Sequence, residues 1–308
     1  MQIVRSIDEM RRVCKAVRRG VAAQTLGLVP TMGALHEGHL SLVRTARKSC
    51  DCVAVTIFVN PLQFGPNEDF SKYPRTFEED CDLLAGEGVD LLFAPTSEEM
   101  YPSGAEAWVD LPHIGARLDG ASRPGHFRGV ATVVTKLFHI VQPDRAFFGQ
   151  KDAAQVAVLR AMVRDLNFDE EIVVCPIVRD EDGLALSSRN RYLSSKEREQ
   201  ALALSRSLRK VEQGVAEGQH AAPLLREVLL KELQAADGVR VDYVEIIDSQ
   251  SLEPVSNVGS GVLIAVAAWV GSTRLIDNVL IPAERAQAVQ SKFCPESAEE
   301  SLHAGRRS

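Results

Sequence analysis

The chain has 308 residues, enough for one large domain or two of ordinary size. Lys and Arg number 35 against 42 Asp and Glu, a formal charge of −7, with 45% hydrophobic and 25% charged side chains. That balance allows a sizeable core and excludes a broad basic surface for nucleic acid or anionic membrane, while leaving room for a local basic pocket.

The first element reads as a helix with a capping box: Ser6 precedes Glu9 by three residues, and Ile7, Met10, Cys14 and Val17 recur at helical spacing up to a stop at Gly20. A short strand, Leu26-Gly27-Leu28-Val29, ends at Pro30, and a helix is expected from His39 to Ser49. Cys52 to Val59 is a near-continuous apolar run, which suits a parallel strand buried on both faces. Cys50 and Cys52 alternate at its start, so one of them is expected in the core. Thr76 and Glu79 form a second capping box before a helix to about Ala85, and Val89 to Phe93 is a strand. Val130 to Val141 reads as helix, Arg145 to Phe148 as strand, Gln150 to Asp165 as helix and Ile172 to Val178 as strand. Repeated β-α-β-α order predicts an α/β fold, a Rossmann-like doubly wound parallel sheet over residues 1–180.

Beyond Asp180 the pattern changes. Ser194 and Glu197 cap two helical stretches separated near Gly218-Gln219-His220, and β segments follow at Val239 to Ile247, Val262 to Val270 and Leu275 to Ile281. A smaller α+β domain is expected over 181–283, then a polar, disordered tail over 284–308. The six cysteines, Cys14, Cys50, Cys52, Cys81, Cys175 and Cys294, include no CxxC pair. With no signal-peptide core at the opening and no long uncharged apolar run, a reduced cytoplasmic protein is expected.

In open parallel sheets, ligands bind outside the C-terminal ends of the strands. Four unusual segments fall there: Pro30 to His39, Asn60 to Gly65, Gly149-Gln150-Lys151-Asp152, and Arg179 to Arg189. In His36-Glu37-Gly38-His39 the i, i+3 spacing at a helix start puts both imidazoles beside unpaired backbone N–H groups, a site for an anion. Gly33 and Gly38 let backbone approach a phosphate closely. The competing readings are two surface histidines at a cap, or a zinc site, for which no third ligand is evident. There is no GxxxxGK or GxGxxG. Lys151 offers a mobile cation and Asp152 a partner for ribose hydroxyls or, indirectly, a metal; helix capping is the plainer role for Asp152. Ser187-Ser188-Arg189 supplies two hydroxyls and a forked cation for phosphates, or simply a loop before the next helix. Arg123, His126 and Arg128 form a further basic cluster with no assigned role.

Pro30-Thr31-Met32-Gly33-Ala34-Leu35-His36-Glu37-Gly38-His39 resembles the HxGH signature of the nucleotidylyltransferase superfamily, and its wording is similar to that of the pantoate–β-alanine ligases. Phe58 to Phe64, Tyr73 to Thr76, Arg123 to Val130, Ser187 to Asn190 and Thr273 to Asn278 match the same family, so the likeness runs from about residue 1 to 283. The resemblance implies ATP-dependent condensation of (R)-pantoate with β-alanine through a pantoyl adenylate, with Mg²⁺ bound mainly through the ATP phosphates and release of pyrophosphate and AMP. It implies ATP contacts from Met32, Gly33, Ala34, Leu35, His36, Glu37, Gly38, His39, Gly149, Gln150, Lys151, Asp152, Val178, Leu186, Ser187, Ser188 and Arg189. His39 would be the acid-type residue and His36 a phosphate donor, with Lys151 and Arg189 also catalytic. Gln63 would hold pantoate and β-alanine, and Gln155 pantoate. A neutral amide orients a carboxylate without the full positive charge that would blunt its nucleophilicity. The family usually has two adjacent glutamines here, and this chain has Ala154 before Gln155, which puts any role of the first amide in doubt. A homodimer is implied by the resemblance, and residues beyond about Asp180 are expected to close as a lid over the adenylate. Two rivals remain: a transferase that keeps the nucleotide on its product, and a non-catalytic nucleotide-binding module.

Overall fold

The computed structural model describes residues 1–19, 24–66, 68 and 70–281. Gly20, Cys294 and the tail expected from 284 lie outside these residues. An edge strand, β1 (Gln2–Val4), opens the chain, too short for any periodicity to signal. In α1 (Ile7–Arg18), Ser6 Oγ accepts the Glu9 N–H at 3.3 Å, fixing the start expected from sequence. Next come β2 (Leu26–Thr31), α2 (Glu37–Ser49), β3 (Cys52–Ile57), α3 (Phe77–Gly86), β4 (Leu91–Phe93) and α4 (Ser97–Met100). The second half of the sheet layer holds α5 (Asp119–Ser122), α6 (His126–Val141), β5 (Arg145–Gly149), α7 (Ala153–Asp165) and β6 (Glu171–Cys175).

The six strands are all parallel, in the order β1-β4-β3-β2-β5-β6. The chain moves outward from β2 through β3 to β4, then returns to the other side of β2 for β5 and β6. That reversal opens a crevice at the C-terminal ends of β2 and β5. Burial explains the apolar strands: Val53 and Val55 point to the α2 and α3 side, while Cys52 and Ala54 point to the α6 and α7 side. Cys50 and Cys52 are therefore both core residues, on opposite faces, where one had been expected. The five cysteines among the described residues are free thiols.

Several boundaries differ from the sequence reading, each for a local reason. β2 continues through Pro30 to Thr31, because only Gly27 and Leu28 pair with β5 and the missing Pro30 N–H falls beyond that ladder. α2 begins at Glu37, two residues early, with His36 as its N-cap. α6 begins at His126 rather than Val130; its N-cap is Gly125 at φ 83°, which leaves no side-chain capping signal. Gln150–Asp152 is a separate 3₁₀ turn rather than the first turn of α7. The Thr76–Glu79 capping box is not made, since Thr76 Oγ1 donates instead to Asp80 Oδ1 at 3.2 Å.

After the sheet layer, α8 (Ser195–Ala216) starts with the expected Ser194–Glu197 capping box, and α9 (Ala222–Gln234) follows it. β7 (Val239–Asp248), β8 (Val262–Val270) and β9 (Thr273–Ile281) form an antiparallel sheet in that order. Val244, Ile246, Ile264 and Val266 pack with α8 and α9, whereas Ile247, Leu263 and Ala265 join the core of the large sheet. β8 is thus buried on both faces, and the small sheet is wedged between its own helices and the parallel layer. Among the described residues, no helix is long and apolar enough to cross a membrane.

Candidate active site

Four strand ends each supply one wall of a single cleft. After β2, Gly33 and Ala34 take positive φ values of 81° and 51°, the left-handed region. A carboxylate that the sequence reading overlooked holds this turn. Asp80 of α3, 1% exposed, accepts the Ala34 N–H at 2.9 Å and the Leu35 N–H at 2.8 Å. The φ of Gly33 is what favours glycine here, and a Cβ would in addition crowd Asp80 Oδ2 at 3.0 Å.

The turn delivers His36 to the N-cap of α2. Its Nδ1 accepts the Gly38 N–H at 3.2 Å, and His39 Nδ1 accepts the His36 N–H at 3.4 Å. The histidines therefore make a capping box from imidazoles in place of Ser and Glu. With both Nδ1 atoms accepting, a neutral ring carries its proton on Nε2. Burial, reinforced by Lys151, lowers the His36 pKa to about 4. Burial, reinforced by His36 at a ring separation of 4.1 Å, lowers that of His39 to about 3. At neutral pH the pair offers two Nε2–H donors and no full charge.

After β3, the 3₁₀ turn Pro61–Gln63 presents Gln63. Buried Asn60 donates through Nδ2 to Gln63 Oε1 at 2.9 Å and to the Gly129 carbonyl at 3.1 Å, while accepting the Tyr101 hydroxyl at 2.9 Å. Asn60 so fixes which end of the Gln63 amide faces the cleft: Oε1 is engaged and Nε2 is left to donate. Gly129 of α6 packs directly on this turn; a Cβ there would sit 2.1 Å from the Leu62 carbonyl oxygen. Arg123 Nη2 donates to the Gln63 carbonyl at 3.1 Å, and His126 Nδ1 lies 2.8 Å from the same oxygen. Burial, then Arg123, lowers the His126 pKa to about 4.

β5 ends on Gly149, and Lys151 and Asp152 follow it, with Gln155 in the first turn of α7. Lys151 Nζ lies 3.7 Å from Asp152 Oδ1. Asp152 makes no side-chain cap to α7, so its carboxylate is directed elsewhere. This segment is fastened from β9: Asn278 Nδ2 donates to the carbonyls of Gln150 and Lys151 at 3.0 and 2.9 Å, and Asn278 Oδ1 accepts from Gln150 Nε2 at 3.0 Å. After β6, Arg179 pairs with both oxygens of buried Asp277 at 2.7 and 2.9 Å, steadying the turn that leads to Ser187-Ser188-Arg189.

Fourteen of the residues to which the resemblance gave an ATP or substrate contact line the cleft: Met32, His36, Gly38, His39, Gln63, Gly149, Lys151, Asp152, Gln155, Val178, Leu186, Ser187, Ser188 and Arg189. The paired imidazoles, the Lys-Asp turn and the Ser-Ser-Arg loop share one crevice. Five others lie off it. Gly33 borders a neighbouring pocket. Ala34 and Leu35 are buried behind the turn. Glu37 is turned outward to Arg44, and Gln150 to Asn278. Of the basic cluster, Arg123 and His126 line the cleft, whereas Arg128 stacks on Trp108, 4.8 Å from its ring centre.

The profile of the family described as pantoate-beta-alanine ligase matches residues 2–280. The chain belongs to that family. The pantothenate synthetase of Acidobacterium capsulatum is 63% identical to the ligase over 258 residues, covering 84% of this chain and 86% of the relative. A pantothenate synthetase structure from Thermus thermophilus superposes with a TM-score of 0.85 at 46% identity, over 91% of this chain and 99% of the other. A pantoate-beta-alanine ligase from Francisella tularensis, solved in complex with beta-gamma ATP and beta-alanine, gives a TM-score of 0.73 at 35% identity over 91% and 97%. The enzyme is accordingly a carbon–nitrogen bond-forming ligase acting on pantoate and β-alanine. Asn60, Asp80, Asp277 and Asn278 had no assigned role in the sequence reading. Each is a buried polar side chain, and burial is what marks such groups as supports.

Proposed function

We propose that the ligase forms its amide bond in two steps within this one cleft. In the first, a pantoate carboxylate oxygen attacks the α-phosphorus of ATP and pyrophosphate leaves, giving pantoyl adenylate. In the second, the neutral amine of β-alanine attacks the acyl carbon, loses a proton and expels AMP, giving pantothenate. The observation that carries this reading is the convergence of His36, His39, Lys151 and Ser187–Arg189 with two carboxamides, Gln63 and Gln155, on a single cleft.

The roles follow from chemistry. The two Nε2–H donors of His36 and His39 face the α-phosphate, where charge accumulates as the bond to pyrophosphate breaks. Phosphate charge brought beside them stabilises the imidazolium form, so the rings gain acid character when the nucleotide is bound. Lys151, the two hydroxyls of Ser187 and Ser188 and the Arg189 guanidinium hold the β- and γ-phosphates. Val178 packs against the adenine. Asp152 would serve the ribose hydroxyls or, indirectly, a Mg²⁺ bound with the triphosphate, which would offset the phosphate charge. Gln63 and Gln155 hydrogen-bond pantoate and leave its carboxylate nucleophilic. The loop from Arg179 to Arg189, with the residues that follow it, excludes water from the adenylate, a mixed anhydride that bulk water would hydrolyse.

The test omits pantoate, ATP, Mg²⁺ and β-alanine one at a time while pyrophosphate and AMP are followed separately. Pyrophosphate should appear without β-alanine in an amount equal to the enzyme, and free AMP only when the amine is added. AMP release that needs no pantoate would refute the sequence of steps.

A further inference from the structure

The mechanism above leaves one strong cation of the cleft wall without a task. Arg123 precedes α6 and lines the cleft beside Gln63. Its Nε donates to Glu68 Oε1 at 2.7 Å and its Nη2 to Glu68 Oε2 at 2.5 Å, a two-point clamp. The pair is largely withdrawn from solvent, with side chains 18% and 26% exposed. The other contacts of this guanidinium are to neutral groups: the Gln63 carbonyl and, at 3.2 Å, His126 Nε2. Asp119, the other carboxylate near His126, is committed to Arg274 at 2.6 Å. The arginine thus presents a carboxylate-shaped fork at the substrate wall, and a carboxylate of the protein itself fills it. Glu68 is also unlike a structural partner in its setting. It stands outside the regular elements, in the short connection after the Pro61–Gln63 turn, held locally by its own N–H on the Gly65 carbonyl at 3.0 Å.

We propose that Glu68 occupies in the resting enzyme the place taken by the carboxylate of β-alanine, so that Arg123 selects the amine substrate and Glu68 competes with it. The inference rests on the reading that β-alanine attacks the adenylate in this cleft. β-Alanine carries its carboxylate two methylenes from the amine. Holding the carboxylate on Arg123, next to Gln63, leaves the amine as the free end directed into the cleft toward the acyl group. Exchanging one carboxylate for another at the same guanidinium conserves the two parallel hydrogen bonds and the local charge, so displacement avoids leaving the cation buried and unpaired. An amine without a carboxylate has to leave the Glu68 clamp shut or bind without it, and is rejected on that account.

Two variants with opposite expected signs test this. Glu68→Gln weakens the internal competitor while Arg123 stays in place, and should lower KM for β-alanine several-fold with KM for ATP unchanged. Arg123→Ala should raise KM for β-alanine by at least about tenfold, the scale of a lost charge-assisted pair. Turnover with β-alaninamide, which keeps the amine and loses the carboxylate charge, should change much less, and Arg123→Lys should restore part of the preference. If the clamp is merely structural, Glu68→Gln and Arg123→Ala will impair both acceptors in the same direction, and that result overturns the proposal. Wild-type β-alanine-dependent AMP release is the control: its absence would sink the two-step reading itself, whereas its presence with unaltered acceptor preference in Arg123→Ala sinks only the role of Arg123.

Discussion

Replacing Asp80 with alanine removes the acceptor of two backbone N–H groups, Ala34 and Leu35, and of the Thr76 hydroxyl. The carboxylate is 1% exposed, so water replaces it poorly. Each buried donor left unpaired costs about 1–3 kcal/mol, which puts the two backbone groups at about 2–6 kcal/mol together. Removing a buried carboxylate also removes its own desolvation cost, so the loss should fall in the lower half of that range, about 2–4 kcal/mol. Against a typical total of about 5–15 kcal/mol, the variant still folds. Asp80→Asn keeps one acceptor oxygen and turns an N–H₂ toward the other donor, so it should lose about half as much. Urea unfolding at pH 7.5 measures both, and KM for ATP reports whether the turn still delivers His36 and His39 to the cleft. A change below about 0.5 kcal/mol in Asp80→Ala, with KM for ATP unaltered, would show that the turn holds itself and that the carboxylate is incidental.

Further outcomes follow from the same geometry. His39→Ala should abolish pyrophosphate release while the circular dichroism spectrum stays that of the wild type; near-normal turnover refutes its role at the phosphate. Gly129→Ala drives a Cβ into the Leu62 carbonyl, 2.1 Å away, and should cost at least about 1–3 kcal/mol as well as weaken pantoate binding by moving Gln63. His36, His39 and His126 have native pKa values lowered to about 4, 3 and 4, below the ordinary histidine value, so the unfolded chain binds protons that the native one refuses. Their contribution is present in full above about pH 6.5 and is lost as pH falls toward 4, by up to about 1.4 kcal/mol per pH unit for each ring. Urea midpoints at pH 7.5, 6.0 and 5.0 should show that slope in the wild type, and a smaller one in His39→Gln.

The parallel sheet was legible because its strands carry an apolar signal on both faces, and the capped starts of α1 and α8 because Ser6 and Ser194 use their own side chains. The starts of α2 and α6 were not, since a histidine and a left-handed glycine do the capping there. The cleft residues were readable where a short segment holds several chemical groups, as in His36 to His39 and Ser187 to Arg189. Asp80 and Asn278 escaped because their partners are backbone groups distant in the chain, a relation that no local spacing encodes. Gln150 entered the site through the family resemblance, and the hydrogen bond of its side chain to Asn278 is a tertiary relation of the same kind.

That hydrogen bond spans 128 residues of sequence. The histidine turn and the Gln63 turn are held from within the parallel layer, whereas the lysine segment is held across to β9. The C-terminal sheet is thus structurally part of the nucleotide side of the cleft: a change at Asn278, far from any substrate, reaches Lys151 through two backbone carbonyls.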